Sequence, residues 1–151
     1  MESNFRTRQA SWATDEHALR LVRQVVFIDE QNVPPEEEWD GRDEGSLHLL
    51  CEDQDGHPVA CARLWSLRDG WLQIGRMAVL RPWRGRGVGS ALLSAAIERA
   101  RSAACEGLVL DAQTQAIGFY ARFGFRAEGP VFDDAGIPHR QMKLVLRPKS
   151  E

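Results

Sequence analysis

No lysine precedes Lys143, no two cysteines form a CxxC pair, and no apolar run approaches the ~18 residues of a membrane-spanning helix. Each absence removes a class of protein. A GxxxxGK[ST] loop needs its lysine to reach the terminal phosphates of a nucleoside triphosphate, and none is available. The three cysteines, Cys51, Cys61 and Cys105, are odd in number and scattered, so free, mostly buried thiols in a reducing compartment are expected. The four histidines, His17, His48, His57 and His139, show no zinc-site spacing with one another or with the cysteines, and no metal is expected. The N-terminal MESNFRTRQASW has no hydrophobic region of the signal-peptide kind, which points to a cytoplasmic protein with no membrane partner. A net charge of −3 argues against a nucleic-acid binder, whose contact face is normally basic. Internal repeats and low-complexity segments are absent as well.

What is present suits one domain spanning 1–151, with 43 % apolar and 27 % charged residues and length enough for one hydrophobic core. Residues 4–11 predict a first strand. Thr14 offers a helix N-cap, with Asp15 and Glu16 in the first turn, where the helix dipole favours negative charge. Ala18, Leu21, Val22, Val25, Val26 and Ile28 follow at helical spacing and predict a helix from 15 to about 30 with one buried face. Asn32 and Pro34-Pro35 stop it. The acidic, turn-rich PPEEEWDGRDEG, 34–45, reads either as a solvated loop or as a loop lining a substrate entrance, where acids at 36–44 would suit a cationic amine.

Three strand-like runs, 46–53, 58–67 and 71–80, are separated by Asp55-Gly56 and Asp69-Gly70, dipeptides that favour tight reversals. An antiparallel meander follows from them. Residues 88–104 predict a helix whose apolar face is Leu92, Leu93, Ala96, Ile97 and Ala100. Gly107 leads into LVLDA, an almost wholly apolar strand of the buried type. A shorter helix is expected at 114–123, and FRAEG and HRQMKLVL return as strands. The order is β-α-βββ-α-β-α-ββ. The strand–helix–strand across 72–111 is a crossover that makes its two strands parallel neighbours. The fold class is α+β, a mixed and mostly antiparallel central sheet with helices on both faces.

Between the strand ending at residue 80 and the helix at 88 lies RPWRGRGVGS, 81–90. A dinucleotide fingerprint would need GxGxxG, whereas the spacing is GxGxG with Ser90 in the third position. Asp111 stands about 20 residues on, where a ribose-binding acid would be placed. Too little chain follows it for further βα units, and a doubly wound sheet would not begin with three antiparallel strands. An RNA-binding arginine tract would need disorder or repeated RGG units, and there is one copy between structured elements. The remaining chemistry is a phosphate cradle. Glycines let the backbone approach a ligand, and residues 86–90 supply N–H groups at the positive end of the helix dipole. The alternative is a glycine-relieved turn with solvated arginines.

Arg84-Gly85-Arg86-Gly87-Val88-Gly89 matches the [RQ]xxGx[GA] signature of the GNAT N-acetyltransferases, and it follows a strand ending MAVL. The stretch QTQAIGFYARFGF, 113–125, resembles that family's second signature, here Gln113, Tyr120 and Gly124-Phe125. The resemblance covers nearly the whole chain. VVFIDEQNVP, WDGRDEGSLHLL and GIPHRQM are similar to its ElaA-like branch. It implies the acyl-CoA N-acyltransferase fold and acetyl-CoA as co-substrate. Backbone groups of Arg84, Gly85, Arg86, Gly87, Val88, Gly89 and Ser90 would hold the pyrophosphate. Met77, Ala78 and Val79 would pair with the pantetheine arm, between strands 72–80 and 107–113 that splay apart. Gln113 stands where relatives often carry Asn and would contact the cofactor.

Acyl transfer to an amine needs a neutral nucleophile, a donor for the oxyanion and an acid for the leaving thiolate. Val79 N–H is a candidate oxyanion donor. The resemblance makes Tyr120, the sole tyrosine, the general acid, also within reach of the cofactor. Many relatives carry a glutamate near the position of Gly75 or Arg76, but IGRMAV has no carboxylate. Glu30 and His48 are the candidate bases, directly or through water. Phe27, Glu30, Gln31, Arg76 and His139 are candidate acceptor contacts. The acceptor would be an amine of a small molecule or a protein, and a homodimer is compatible with the family. Without the strand carboxylate, a non-catalytic acyl-CoA sensor on the same fold is the second reading.

Overall fold

A computed structural model describes residues 4–147 of the chain. Seven strands form one sheet in the order β1-β2-β3-β4-β5-β7-β6. The strands are β1 (Phe5–Ala10), β2 (Leu47–Asp53), β3 (Pro58–Ser66), β4 (Trp71–Val79), β5 (Gly107–Gln113), β6 (Arg126–Asp134) and β7 (Ile137–Val145). All neighbours are antiparallel except β4 and β5, as the crossover through α3 (Val88–Ser102) requires. The reversals at Asp55-Gly56 and Asp69-Gly70 form as expected. Gly56, Asp69 and Gly70 take positive φ, and the Asp53 carboxylate accepts from the N–H groups of Asp55 and His57, both at 2.9 Å. Cys51 and Cys61 are buried free thiols. Among the described residues no helix is long and apolar enough to cross a membrane.

The first helix differs from expectation at both ends. Helix α1 is Trp12–Arg23, and its N-cap is Ser11 rather than Thr14. Ser11 is extended (φ −124°, ψ 146°). Its Oγ accepts from the Thr14 N–H at 3.3 Å, and the Asp15 carboxylate accepts from the Ser11 N–H at 3.0 Å. This reciprocal cap is a stronger start than Thr14 alone would give. From Gln24 to Glu30 the chain winds as a π-helix. The buried face is Leu19, Val22, Arg23 and Val26, whereas Leu21 is 43 % exposed.

Strand alternation places a core on each face of the sheet. Under α3, its Leu92, Leu93, Ala96 and Ala100 pack on Leu49, Ala60, Ala62, Leu64 and Ile74. Under α1, Leu19, Val22 and Val26 pack on Leu50, Cys61 and Ala78. A run such as VACARL on β3 is buried throughout because both of its faces are covered.

On the α1 face the apolar core gives way to an ionic one. Arg23 donates through Nε to Glu38 at 2.7 Å and through Nη1 to Asp43. Arg63 reaches Asp40 at 2.8 Å and Asp43 at 3.0 Å. Glu38 belongs to a one-turn helix, α2 (Pro35–Glu38), which the sequence did not suggest. Trp39 lies over the guanidiniums of Arg23 and Arg20, at 4.9 and 4.6 Å, where a cation meets the negative face of the ring. Burial pushes the Asp40 and Asp43 carboxyls up, but Arg63 and Arg23 outweigh it and hold both below the usual range. Arginines hold Glu38, Asp40 and Asp43, whereas Glu36, Glu37 and Glu44 stay exposed and unpaired among the described residues, so the segment is part ionic layer and part solvated loop. His48 joins this layer. It is 1 % exposed, its Nε2 lies 2.9 Å from the Asp43 carbonyl, and its ring stacks on Trp12. Burial pushes its pKa down.

Removing one member of such a network leaves the buried charges short of a partner, although Asp43 keeps Arg63 and Glu38 keeps Arg76. Arg23→Ala leaves Glu38 and Asp43 without their shared cation and should cost about 3–5 kcal/mol. Arg20→Ala, on the exposed side of the same tryptophan, should cost about 1 kcal/mol or less. Urea unfolding of the two variants checks the difference; equal losses would contradict it.

Candidate active site

Strands β4 and β5 pair only from Trp71–Gly107 to Ile74–Leu110. Beyond that point they separate. The register of β3 against β4 shifts between Cys61 and Arg63, and Arg76 sits at φ 51°, left-handed backbone that a non-glycine side chain adopts at a cost. That conformation is held from outside the sheet. Arg76 Nη2 donates to the carbonyls of Glu37 and Glu38 at 3.1 and 3.2 Å and to Asp40 at 3.3 Å. Its Nε lies 3.1 Å from the Glu38 carboxylate. The acidic segment thus braces the bulge that turns β4 away from β5.

A cavity of about 260 Å³ opens at the separation, with Phe27, Gln31, Met77, Gln113, Tyr120 and His139 among its walls. Of the expected acceptor contacts, Phe27, Gln31, Arg76 and His139 line it and Glu30 does not. His48 does not line it either. It is sealed in the ionic layer under α1, and its Nε2 is already engaged. The Glu30 carboxylate lies 2.8 Å from Arg84 and 3.7 Å from Arg81. Arg84 leads in holding its pKa below the usual range, the opposite of what a base requires. Glu30 anchors the glycine loop to the π-helical segment instead.

The loop itself has the construction of an anion cradle. Gly85 and Gly87 take φ 76° and 83°, and Gly87 caps α3 with no side chain closing the helix end. The first helical bond runs from Ala91 N–H to the Gly87 carbonyl at 3.0 Å. Among the described residues, no N–H from Gly85 to Ser90 has an acceptor within the protein. These donors converge at the positive end of a fifteen-residue helix, which is what a phosphate needs. Arg84 falls outside this set, because its own N–H donates to the Arg81 carbonyl at 3.2 Å. The arginines turn to protein partners: Arg84 Nε donates to the Val79 carbonyl at 2.9 Å, and Arg86 lies over Trp83 at 4.8 Å.

Leu80 N–H donates toward β3, to the Val59 carbonyl at 2.9 Å. Strand alternation then turns the N–H of Val79 to the opposite edge, which faces the gap. Tyr120, on α4 (Ile117–Ala121), packs edge-on against Phe119 and Phe125. Its hydroxyl is 3.6 Å from Met77 Sδ. Burial pushes its pKa up to about 12, so it is a protonated phenol at neutral pH. Gln113 Nε2 donates to Gln31 at 2.9 Å, and its Oε1 accepts from Gln115 at 2.6 Å. Its amide spans the cavity between β5 and the end of the π-helical segment.

Asp111 also lines the cavity. Burial pushes its carboxyl up, His139 opposes this, and Asp134 adds to it. Sequence reasoning met Asp111 only as a ribose-binding acid. The signal that it matters was a lone carboxylate inside an apolar strand next to a signature.

Residues 10–125 match the model of the acetyltransferase (GNAT) family. The chain is 42 % identical over 122 residues to YjcF of Bacillus subtilis, described as an uncharacterized N-acetyltransferase, covering 80 % of this chain and 86 % of that one. The crystal structure of Escherichia coli ElaA superposes with a TM-score of 0.82 at 30 % identity, over 92 % of this chain and 98 % of that one. A family acetyltransferase from Brucella melitensis, solved in complex with acetyl-CoA, superposes at 0.76 with 22 % identity, over 99 % of this chain and 93 % of that one.

A Cβ at Gly87 would meet no protein atom within 4 Å, so the cost of a side chain there falls on a ligand and on the positive φ. Gly87→Val should weaken acetyl-CoA binding by more than about 10-fold in calorimetry, with roughly 1–2 kcal/mol lost in stability. Unchanged affinity would remove the cradle.

Proposed function

Because the chain belongs to the acetyltransferase (GNAT) family, we propose that it moves an acetyl group from acetyl-CoA to a primary amine of a small molecule or protein, by direct attack within a ternary complex. The observation that carries this reading is the row of unpartnered N–H groups from Gly85 to Ser90, set beside a cavity that holds the protonated Tyr120. The donors would take the pyrophosphate. The free edge of Met77, Ala78 and Val79 would pair with the amide-containing pantetheine arm, which lays the thioester into the gap.

The amine nitrogen then attacks the thioester carbon. The Val79 N–H, turned to the gap, would donate to the carbonyl oxygen as negative charge gathers there. As the carbon–sulfur bond breaks, the Tyr120 hydroxyl gives its proton to the leaving thiolate. Its raised pKa keeps it protonated at neutral pH. Gln113, held by Gln31 and Gln115, would line the acceptor side of the cavity rather than grip the cofactor. Residues 1–151 would make up one such domain, working in the cytoplasm.

The test is a panel of amines in which release of free CoA is followed. Turnover on at least one class is expected. Tyr120→Phe should lower kcat by about 10²-fold or more while its acetyl-CoA affinity stays within about twofold. Equal rates would make the tyrosine a packing residue, and tight acetyl-CoA binding with no turnover on any amine would favour the sensor.

A further inference from the structure

Acyl transfer still lacks a proton acceptor, since Glu30 is held by two arginines and His48 is sealed away. His139 has the properties both lack. It lies on β7, opposite Gln113 of β5 and Phe132 of β6, and it lines the cavity while only 9 % exposed. Its Nδ1 is 2.7 Å from the Ile137 carbonyl. A carbonyl only accepts, so Nδ1 carries the hydrogen, and in the neutral ring the lone pair is on Nε2. Among the described residues Nε2 has no protein partner, and it is not one of the buried polar atoms cut off from solvent. Phe132 stacks on the ring at 5.9 Å and 25° and fixes its plane. A neutral imidazole locked in one tautomer, with its basic nitrogen free at a substrate cavity, is the arrangement a general base requires.

The surroundings suit the proton once it arrives. The charged groups facing His139 are Asp111 of β5 and Asp134 at the end of β6, with Glu37 and Arg76 across the cavity. Neither aspartate has a cationic partner among the described residues. Arg76 is neutralised by Glu38 and Asp40.

We propose that Nε2 of His139 is the proton acceptor of the reaction, an inference that rests on the acetyl-transfer reading above. Nε2 takes one proton from the acceptor ammonium. The freed nitrogen lone pair forms the bond to the acetyl carbon and the carbon–sulfur bond breaks. The Tyr120 hydroxyl protonates the sulfur and regains a proton from the amide nitrogen, and His139 returns its proton to water. The products are an N-acetyl amide, CoA thiol and one proton.

The experiment measures kcat/KM for a turned-over primary amine against pH, by CoA release, with acetyl-CoA affinity measured in parallel. His139→Asn keeps a donor where Nδ1–H bonds Ile137 but removes Nε2. It should lower kcat/KM by about 10²-fold near neutrality with acetyl-CoA affinity within about twofold. The deficit should shrink as pH rises and water supplies the neutral amine, and added imidazole should restore activity to His139→Ala. A loss equal at every pH with no rescue, or no loss at all, overturns the role. The wild-type protein gives a check that needs no variant: its kcat/KM must fall on the acid side while acetyl-CoA binding does not, and a flat profile overturns the proposal. Wild-type protein that binds acetyl-CoA but acetylates no amine would overturn the transfer reading, and this one with it.

Discussion

Two parallel strands stop exchanging hydrogen bonds after Ile74 and Leu110, and much of the structure serves that interruption. Backbone N–H and C=O groups left without partners inside a sheet are costly, so a gap of this kind needs structure to hold it open. On the β4 side the Val79 carbonyl is satisfied by the Arg84 guanidinium, while the N–H of the same residue faces the opening. The left-handed Arg76 makes the bend, and the carbonyls of α2 hold its side chain. Tyr120 and Met77 meet where the strands part. The glycine loop follows directly from β4, so the turn that opens the gap also delivers the chain to the helix start with its free donors.

Charge in this protein is used mainly for construction. Three arginines, Arg23, Arg63 and Arg76, and three carboxylates, Glu38, Asp40 and Asp43, form one connected set from α1 through β3 to the bulge. Buried ion pairs are poor sources of net stability. What this set does is fix position: it ties the segment after the π-helix to the strand whose bend makes the cavity. Arg84 and Glu30 repeat the device at the other end, joining the end of the π-helical segment to the glycine loop. In RPWRGRGVGS, Arg84 is braced by the Val79 carbonyl and Glu30 and Arg86 stacks on Trp83, so both are engaged with the protein's own groups.

What the sequence revealed follows the range of the interactions involved. The order of elements and the antiparallel meander were legible because Asp-Gly reversals and helix periodicity are local, whereas the place of β7 between β5 and β6 depends on long-range pairing. The positive-φ turns of Gly85 and Gly87 before α3 were legible because glycine has few other reasons to recur at that spacing before a helix. The Ser11 cap was missed because Thr14 satisfies the same rule three residues on, and only the backbone angles separate them. The ionic layer was missed because its partners are far apart in sequence and helical periodicity counts an arginine as outside. Arg23 occupies a core position that the pattern assigned to solvent. Glu30 and His48 had the right chemistry for a base, yet titratability alone does not reveal that another side chain has already engaged the group.

The two halves of the cavity differ in the same way. The half proposed for the acetyl donor is written in contiguous stretches, 77–79 and 85–90, because a strand edge and a helix start present backbone groups in register. The acceptor half is assembled from single side chains on separate elements: Phe27 and Gln31, Glu37, Asp111, His139. Its chemistry depends on which of those side chains remain unspent after the fold has taken its share. Glu38 and Arg76 are consumed as a pair, and Gln31 and Gln113 hold each other. That leaves the His139 imidazole together with the carboxylates of Glu37, Asp111 and Asp134, which have no side-chain partner among the described residues.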